Sequence, residues 1–354
     1  MKRQALNHTM QACVAVIGLV VFGFARNALA DSSEAASLCS LTSAGVGQPG
    51  TVMCKNVMTG ATTQTVAVGP TVAGPGGIAG NLVRDDRRAL VTNQSQGAVL
   101  FTLVNGQLRA PVMLQTGGEG SMSGALSEHG AYVLTGTRLL FFPRGETAPM
   151  SSQSLMMSDG SAAQVVLAGG YAYVSEKNGS LEAFLLGHDG SLQSGATAIA
   201  GIPAGVIVGI AADRDLVIAP IAHLASNANQ STVPIVRGLS VVQIVPTKEV
   251  AACWAASDDG EVCITNPGSM TVSCGRVGQN ALSSYTSAAA SVAGDTVLDI
   301  DLVDSLVGIL GKSNGSPQLL TYSRAKHSDF LMPIGTFSLG TATATGAMLL
   351  PAHD

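Results

Sequence analysis

Charge is scarce in this chain. Only 12% of its 354 residues are Asp, Glu, Lys or Arg, and the formal net charge is −5. The one run of cations, Arg84-Asp85-Asp86-Arg87-Arg88, carries its own carboxylates, so no basic stripe is present to follow a nucleic-acid backbone. Histidine occurs at positions 8, 129, 188, 223, 327 and 353, with no pair at the spacing that brings two ligands to one face of a helix or strand. No metal site is expected. There is no Gly-x-Ser-x-Gly elbow and no phosphate-binding loop, and no cofactor is expected. No stretch carries a helical apolar period with caps. Past the N-terminus every apolar run is broken by Gly, Asp, Arg or Pro, well short of the roughly 20 residues that span a bilayer.

What is present begins with an export signal. Lys2 and Arg3 precede an apolar run over residues 12–25, and Ala28-Leu29-Ala30 supplies a small-residue cleavage site before Asp31. Residues 1–30 are therefore read as a secretory signal peptide and 31–354 as one domain in an exported protein, periplasmic or secreted. An uncleaved anchor is the alternative, but the run is short for a span and Arg26 and Asn27 interrupt it.

The rest of the chain is rich in Gly, with 42 of them, and in the Ala, Val, Leu, Thr and Ser of short buried strands. Apolar runs alternate with turn signals at intervals of roughly ten residues. One turn type recurs: Arg84-Asp85-Asp86-Arg87, Ser127-Glu128-His129-Gly130, Ala212-Asp213-Arg214-Asp215 and Ser257-Asp258-Asp259-Gly260. A strand precedes each and another follows it. Next come an Asn/Gly/Ser turn such as Asn178-Gly179-Ser180, a third strand, a polar turn and a fourth strand, for example Gly190-Ser191-Leu192-Gln193. Four strands at a period of roughly 40 to 50 residues is the mark of propeller blades. Six units start near Ile78, Gly118, Ser158, Ile202, Ala251 and Asp295. A seventh is split: residues 37–74 lack a first strand, and 347–350 form a strand without a blade. The expected fold is thus all-β, a seven-bladed β-propeller of four-stranded antiparallel blades, its ring closed by pairing of the N- and C-terminal strands, which removes exposed edges.

The blade alignment also bears on the six cysteines. Cys13 lies in the signal, which leaves an odd number, so one stays unpaired or joins another chain. In blade 5, Asn266 and Thr271 flank a four-residue turn, and continuing that register sets Cys263 opposite Cys274. Cys39 and Cys54 occupy the same places in the split blade. Buried thiols are the plainer alternative, but an oxidising compartment favours disulfides Cys39–Cys54 and Cys263–Cys274, with Cys253 left free beside Trp254.

The chain resembles the seven-bladed propellers of the lactonase family, which includes muconate-lactonising enzymes and a class of phosphogluconolactonases. The resemblance is carried by Ala252-Cys253-Trp254-Ala255-Ala256-Ser257-Asp258-Asp259-Gly260, by residues 264–273, by Tyr173-Val174-Ser175-Glu176-Lys177 and by His188-Asp189-Gly190-Ser191-Leu192. It implies the fold from about Ser37 to the C-terminus. A lactonase would bring Arg, His and Glu to a channel mouth to polarise a carbonyl and hold an anionic substrate. The Gly-Pro-Arg-His type of segment that carries such residues in the family is absent; Ala162-Ala163-Gln164 and Ala204-Gly205-Val206 stand at matching blade starts.

Two functional expectations follow. The first is a non-catalytic propeller that binds a small molecule or a protein at its face, with Lys177, Asn266 and Asn314 as binding candidates and an Asn/Ser/Ala-rich insertion at 223–237, replacing a clean third strand, as a contributing loop. The second is a lactone hydrolase or lactonising enzyme with a rearranged set, Glu176, Asp299 and Arg237. Asp299 and Asp301, two apart on a strand over 297–303, share a face about 7 Å apart and could serve a metal or an acid/base pair. The plainer role is a strand end meeting solvent or a neighbouring Lys.

Overall fold

Strands this short cannot bury an apolar face alone, so the fold depends on stacking them in sheets and the sheets in a ring. In the computed structural model, which describes residues 36–44, 48–70, 81–93, 97–223, 231–324, 330–341 and 343–351, the described residues form 28 strands and no helix. The strands make seven four-stranded antiparallel sheets, the blades of a β-propeller. Blades 1 to 6 open with first strands Leu82–Arg84, Ser121–Ser127, Ala162–Ala168, Ala211–Asp213, Trp254–Asp258 and Thr296–Val303. Residues 1–30, read above as a signal peptide, lie outside the described residues.

Blade 7 is the split one. Its first strand is the C-terminal Thr343–Leu350, paired antiparallel with Ser37–Ser43, which pairs in turn with Pro49–Asn56 and then Thr62–Pro70. Cys39 faces Met348 on one side and Cys54 on the other. The closing strand thus lies beside 37–43, one strand inward of 50–55. Gly346 makes this possible. At φ +72 it holds a left-handed conformation, and a Cβ there would come within 1.9 Å of Asn81 Oδ1 from blade 1.

Apolar side chains collect in seven clusters, each centred between two neighbouring blades, the blade 5–6 cluster reaching as far as Ala163 of blade 3. Middle strands are buried on both faces for this reason: Arg88–Asn93 and Gly130–Thr135 have no exposed residue. That is why continuous apolar runs, not alternation, mark them in the sequence. Cys39–Cys54 and Cys263–Cys274 are disulfides between second and third strands, with Cα atoms 4.0 and 4.2 Å apart. Cys253 is free and packs on the blade 5–6 core.

Two strand expectations are corrected. The fourth strand of blade 3 is Thr197–Ala198, not 190–193. Residues around Gly190 turn back toward blade 2 instead: Tyr132 donates to Gly190 O at 2.6 Å and Leu192 N donates to Ser151 Oγ at 3.0 Å. In blade 4 the third strand is continuous, with one register shift between Ile235 and Val236. Thr232–Arg237 pairs with Leu216–Ile218 and Ser240–Pro246, so only the part before Thr232 departs from the repeat; 224–230 lie outside the described residues.

Candidate functional site

The first strand of every blade lines a central channel and has no strand beside its inner edge. Its N–H and C=O groups therefore need other partners, and polar side chains of neighbouring first strands supply them. Ser123 Oγ accepts Val165 N at 3.2 Å, Gln164 Oε1 accepts Ile210 N at 2.7 Å, and Ser257 donates to Ala212 O at 2.7 Å. Three first strands have a register shift at Ser123, Gln164 or Asp299. Such bulges re-aim a side chain, here sideways into the next blade.

Asp299 and Asp301 belong to this belt. Asp299 Oδ2 accepts Ala347 N at 3.1 Å and Asp301 Oδ2 accepts Leu349 N at 2.7 Å. From the other side Arg84 Nε donates to Leu349 O at 2.6 Å. The two aspartates line the channel, and each spends an oxygen on the closing strand. Burial pushes the Asp301 carboxyl above its ordinary range, with Arg84 opposing and Asp258 adding to the rise.

A cavity of about 420 Å³ fills the channel. Its uncharged walls are Ala, Val, Leu and Ile with Gly124, Gln164 and Ser257, and its charged lining is Arg84, Asp85, Asp86, Asp258, Asp299 and Asp301. Since strands alternate in direction, the turns between first and second strands gather at one mouth, here called the lower. Asp85, Asp86 and Asp258 come from or beside those turns. Asp258 Oδ2 accepts Asp304 N from the next blade at 2.6 Å, and Asp85 is paired with Arg88 at 2.5 Å. Asp213, beside Ala212 of the lining, is raised by burial, relieved by Arg214 and raised again by Asp259 and Asp258. Carboxylates gather here, with Arg84, Arg88 and Arg214 among them. None of the described histidines, 129, 188 and 223, lines the cavity.

The remaining candidates are dispersed. Glu176 ends a second strand and Lys177 follows it, which places both at the upper end. Asn266 and Asn314 lie at the same end of blades 5 and 6. Asn266 is buried, donating to Thr271 Oγ1 at 3.1 Å and Ser273 Oγ at 2.9 Å, so it holds its own turn together. Asn314 is exposed in its turn at φ 50, and its N–H donates to Asp295. Arg237 ends a third strand, at the lower end, where it pairs with Asp215 at 2.7 Å and donates to Asn280 Oδ1 at 2.6 Å. The structure does not bring Glu176, Asp299 and Arg237 together: they lie at the upper end, in the channel and at the lower end. Burial first, then Asp299, pushes the Cys253 thiol up to about 12, which leaves it un-ionised at neutral pH.

The acidic lower mouth was missed as a site in the sequence, although its residues stand in the recurrent Asp-bearing turns. Each turn reads locally as a solvated loop; only closure of the ring makes them neighbours.

No family model matches the chain, and no curated protein matches it. Solved structures do. A putative 6-phosphogluconolactonase from Bacteroides fragilis superposes with a TM-score of 0.57 at 11% identity, covering 88% of this chain and 98% of that one. A protein from Lactobacillus plantarum gives 0.57 at 12% identity over 89% and 99%. The computationally designed Ika8 protein gives 0.55 at 9% identity over 89% and 91%. At such identities the likeness shows the seven-bladed fold, which hosts many unrelated functions. The lactonase-family resemblance has its support in that fold alone.

Proposed function

We propose that this chain is an exported binding protein that takes a small cationic ligand into the lower mouth of its channel without turning it over. One observation carries the reading: a cavity of about 420 Å³ whose charged lining is five carboxylates, Asp85, Asp86, Asp258, Asp299 and Asp301, against the guanidinium of Arg84, with Asp85 also paired to Arg88 behind it. A space of this size suits a small molecule better than a protein loop. Low-dielectric walls focus the field of the carboxylates, so the mouth attracts an ammonium or guanidinium group. The same field repels the carboxylate or phosphate of a sugar-acid lactone, which weighs against the hydrolase. Export belongs to the proposal: the two disulfides suit an oxidising compartment, and the signal-like segment 1–30 would direct the chain there.

Calorimetric titration with a diamine, a guanidinium compound and a phosphorylated sugar lactone tests this. The two cations are expected to bind saturably at low ionic strength and to weaken as salt rises. Asp86→Asn, at an exposed lining position, is expected to weaken them further. Hydrolysis of the lactone, or tighter binding of the anion than of the cations, would overturn the reading in favour of an enzyme.

A further inference from the structure

The two most deeply enclosed glutamates of the described chain lie on one face of blade 3. Glu176 is 0% exposed and Glu182 is 1% exposed. Glu182 pairs with Val174 across the second and third strands, and Glu176 follows Val174 by two residues, so the carboxylates are diagonal neighbours on the same side of the sheet. Both are tied to the segment 155–161, which joins blade 2 to blade 3 across the upper end. Glu182 accepts Met156 N at 3.1 Å and Met157 N at 3.2 Å. Glu176 Oε2 accepts the Ser161 hydroxyl at 2.5 Å. The strap is thus fastened near its start by one carboxylate and at its end by the other, while the Met156 and Met157 side chains stay exposed.

The fastenings differ in one respect. Glu182 has donors for both oxygens, whereas Glu176 Oε1 is buried with no hydrogen-bond partner. A buried carboxylate oxygen without a donor is costly when ionised and satisfied when it carries the proton. The charged groups facing Glu176 are Glu182 on the third strand, Asp159 in the strap and Lys177 next in sequence. Two of these are carboxylates, and half-buried Lys177 is itself pushed down by burial.

We propose that Glu176 and Glu182 act as one proton-binding site that sets how firmly the 155–161 strap is fastened, the strap loosening when the shared proton leaves. With the proton on Glu176, the ionised Glu182 keeps its two amides without a like charge beside it. When the proton departs, two carboxylates confront each other, and water can reach Glu176 only if Ser161 swings away. Burial as the leading cause, opposed by the Ser161 hydrogen bond and reinforced by Glu182, pushes the Glu176 carboxyl up to about 7, which puts the change near neutral pH. Since the folded value is the raised one, the stability due to this group is present below the ordinary carboxylate range. It is lost as pH rises through about 7. The device is separate from the channel, and its failure would leave the ligand reading untouched.

Hydrogen exchange of the strap amides, followed by mass spectrometry on the full-length folded chain between pH 6 and 8.5 and corrected for intrinsic rates, tests the proposal. In the wild type, protection over 155–161 is expected to fall above neutrality, approaching about tenfold per pH unit, the limit for one proton. Protection over 121–143 in blade 2 should hold. Glu176→Gln, which mimics the protonated side chain, is expected to stay protected throughout. Glu182→Gln, which removes the like charge but leaves Glu176 buried, is expected to be less protected than the wild type and to keep a pH midpoint, shifted downward. A wild-type strap whose protection is flat across this range would overturn the proposal without any variant, and so would a Glu176→Gln strap that loosens as the wild type does.

Discussion

Removing the Asp301 carboxylate tests the ring closure most directly, because that group holds a strand with no covalent continuation into its own blade. Thr343–Leu350 is far in sequence from its blade partners Ser37–Ser43, Pro49–Asn56 and Thr62–Pro70, and Leu349 is gripped from both neighbours, by Asp301 of blade 6 and Arg84 of blade 1. Asp301→Ala leaves the Leu349 and Leu302 N–H groups without this acceptor. A buried donor left unpaired costs about 1–3 kcal/mol. Against this stands relief of a buried charge, since burial raises the Asp301 carboxyl and Arg84 only partly opposes it. Net destabilisation of about 2 kcal/mol is expected, a melting temperature lower by about 3 °C for a chain of this size. Asp301→Asn keeps an acceptor and discards the charge, so it should melt within about 2 °C of the wild type at pH 7. The sign with pH follows: a raised folded value means the group's contribution is present below the ordinary Asp range and lost as pH rises through the folded value. The Asn variant should therefore gain on the wild type from pH 4 to pH 8. Calorimetric melting over that range measures both. If Asp301→Ala melts like the wild type, or if Asn and Ala are equally destabilised, hydrogen bonding to Leu349 is not what holds the seam.

Loss of the Cys39–Cys54 disulfide, which spans 15 residues, should cost about 3 kcal/mol. It should cost more than loss of Cys263–Cys274, since it lies in the blade closed without covalent continuity; chemical denaturation of the paired Cys→Ser variants compares them. Thiol titration of the unfolded, signal-free protein should count one reactive cysteine, Cys253, and a higher count would refute the pairing. Gly346→Ala meets both a left-handed backbone and the Asn81 side chain, and should lower stability by at least about 2 kcal/mol, whereas an unchanged melt would remove Gly346 from the closure. Mass spectrometry of exported protein should find Asp31 first, and a full-length chain in the membrane fraction would refute export.

The repeat of four strands and its period were legible because they are local: turn residues and apolar runs recur along the chain whatever the strands later face. The cysteine pairs were legible too, since strand register counted outward from one turn dictates which residues stand opposite, and the Asn266–Thr271 turn of blade 5 fixes Cys263 against Cys274. Local signals failed where neighbours in space are not neighbours in sequence. Gly190-Ser191-Leu192 reads as a strand, but contacts with Tyr132 and Ser151 of blade 2 turn it aside. Asp299 and Asp301 read as a possible acid/base pair, yet their partners are backbone amides of residues 347 and 349, 48 positions away in each case. Sequence alone therefore determined the class of fold and its covalent staples, because hydrophobic period and turn chemistry act over a few residues. Tertiary structure alone decided that Asp-bearing turns from separate blades share one channel mouth and that two glutamates share one buried face. Closing the ring and pairing the strands are what bring those charges close enough to feel one another.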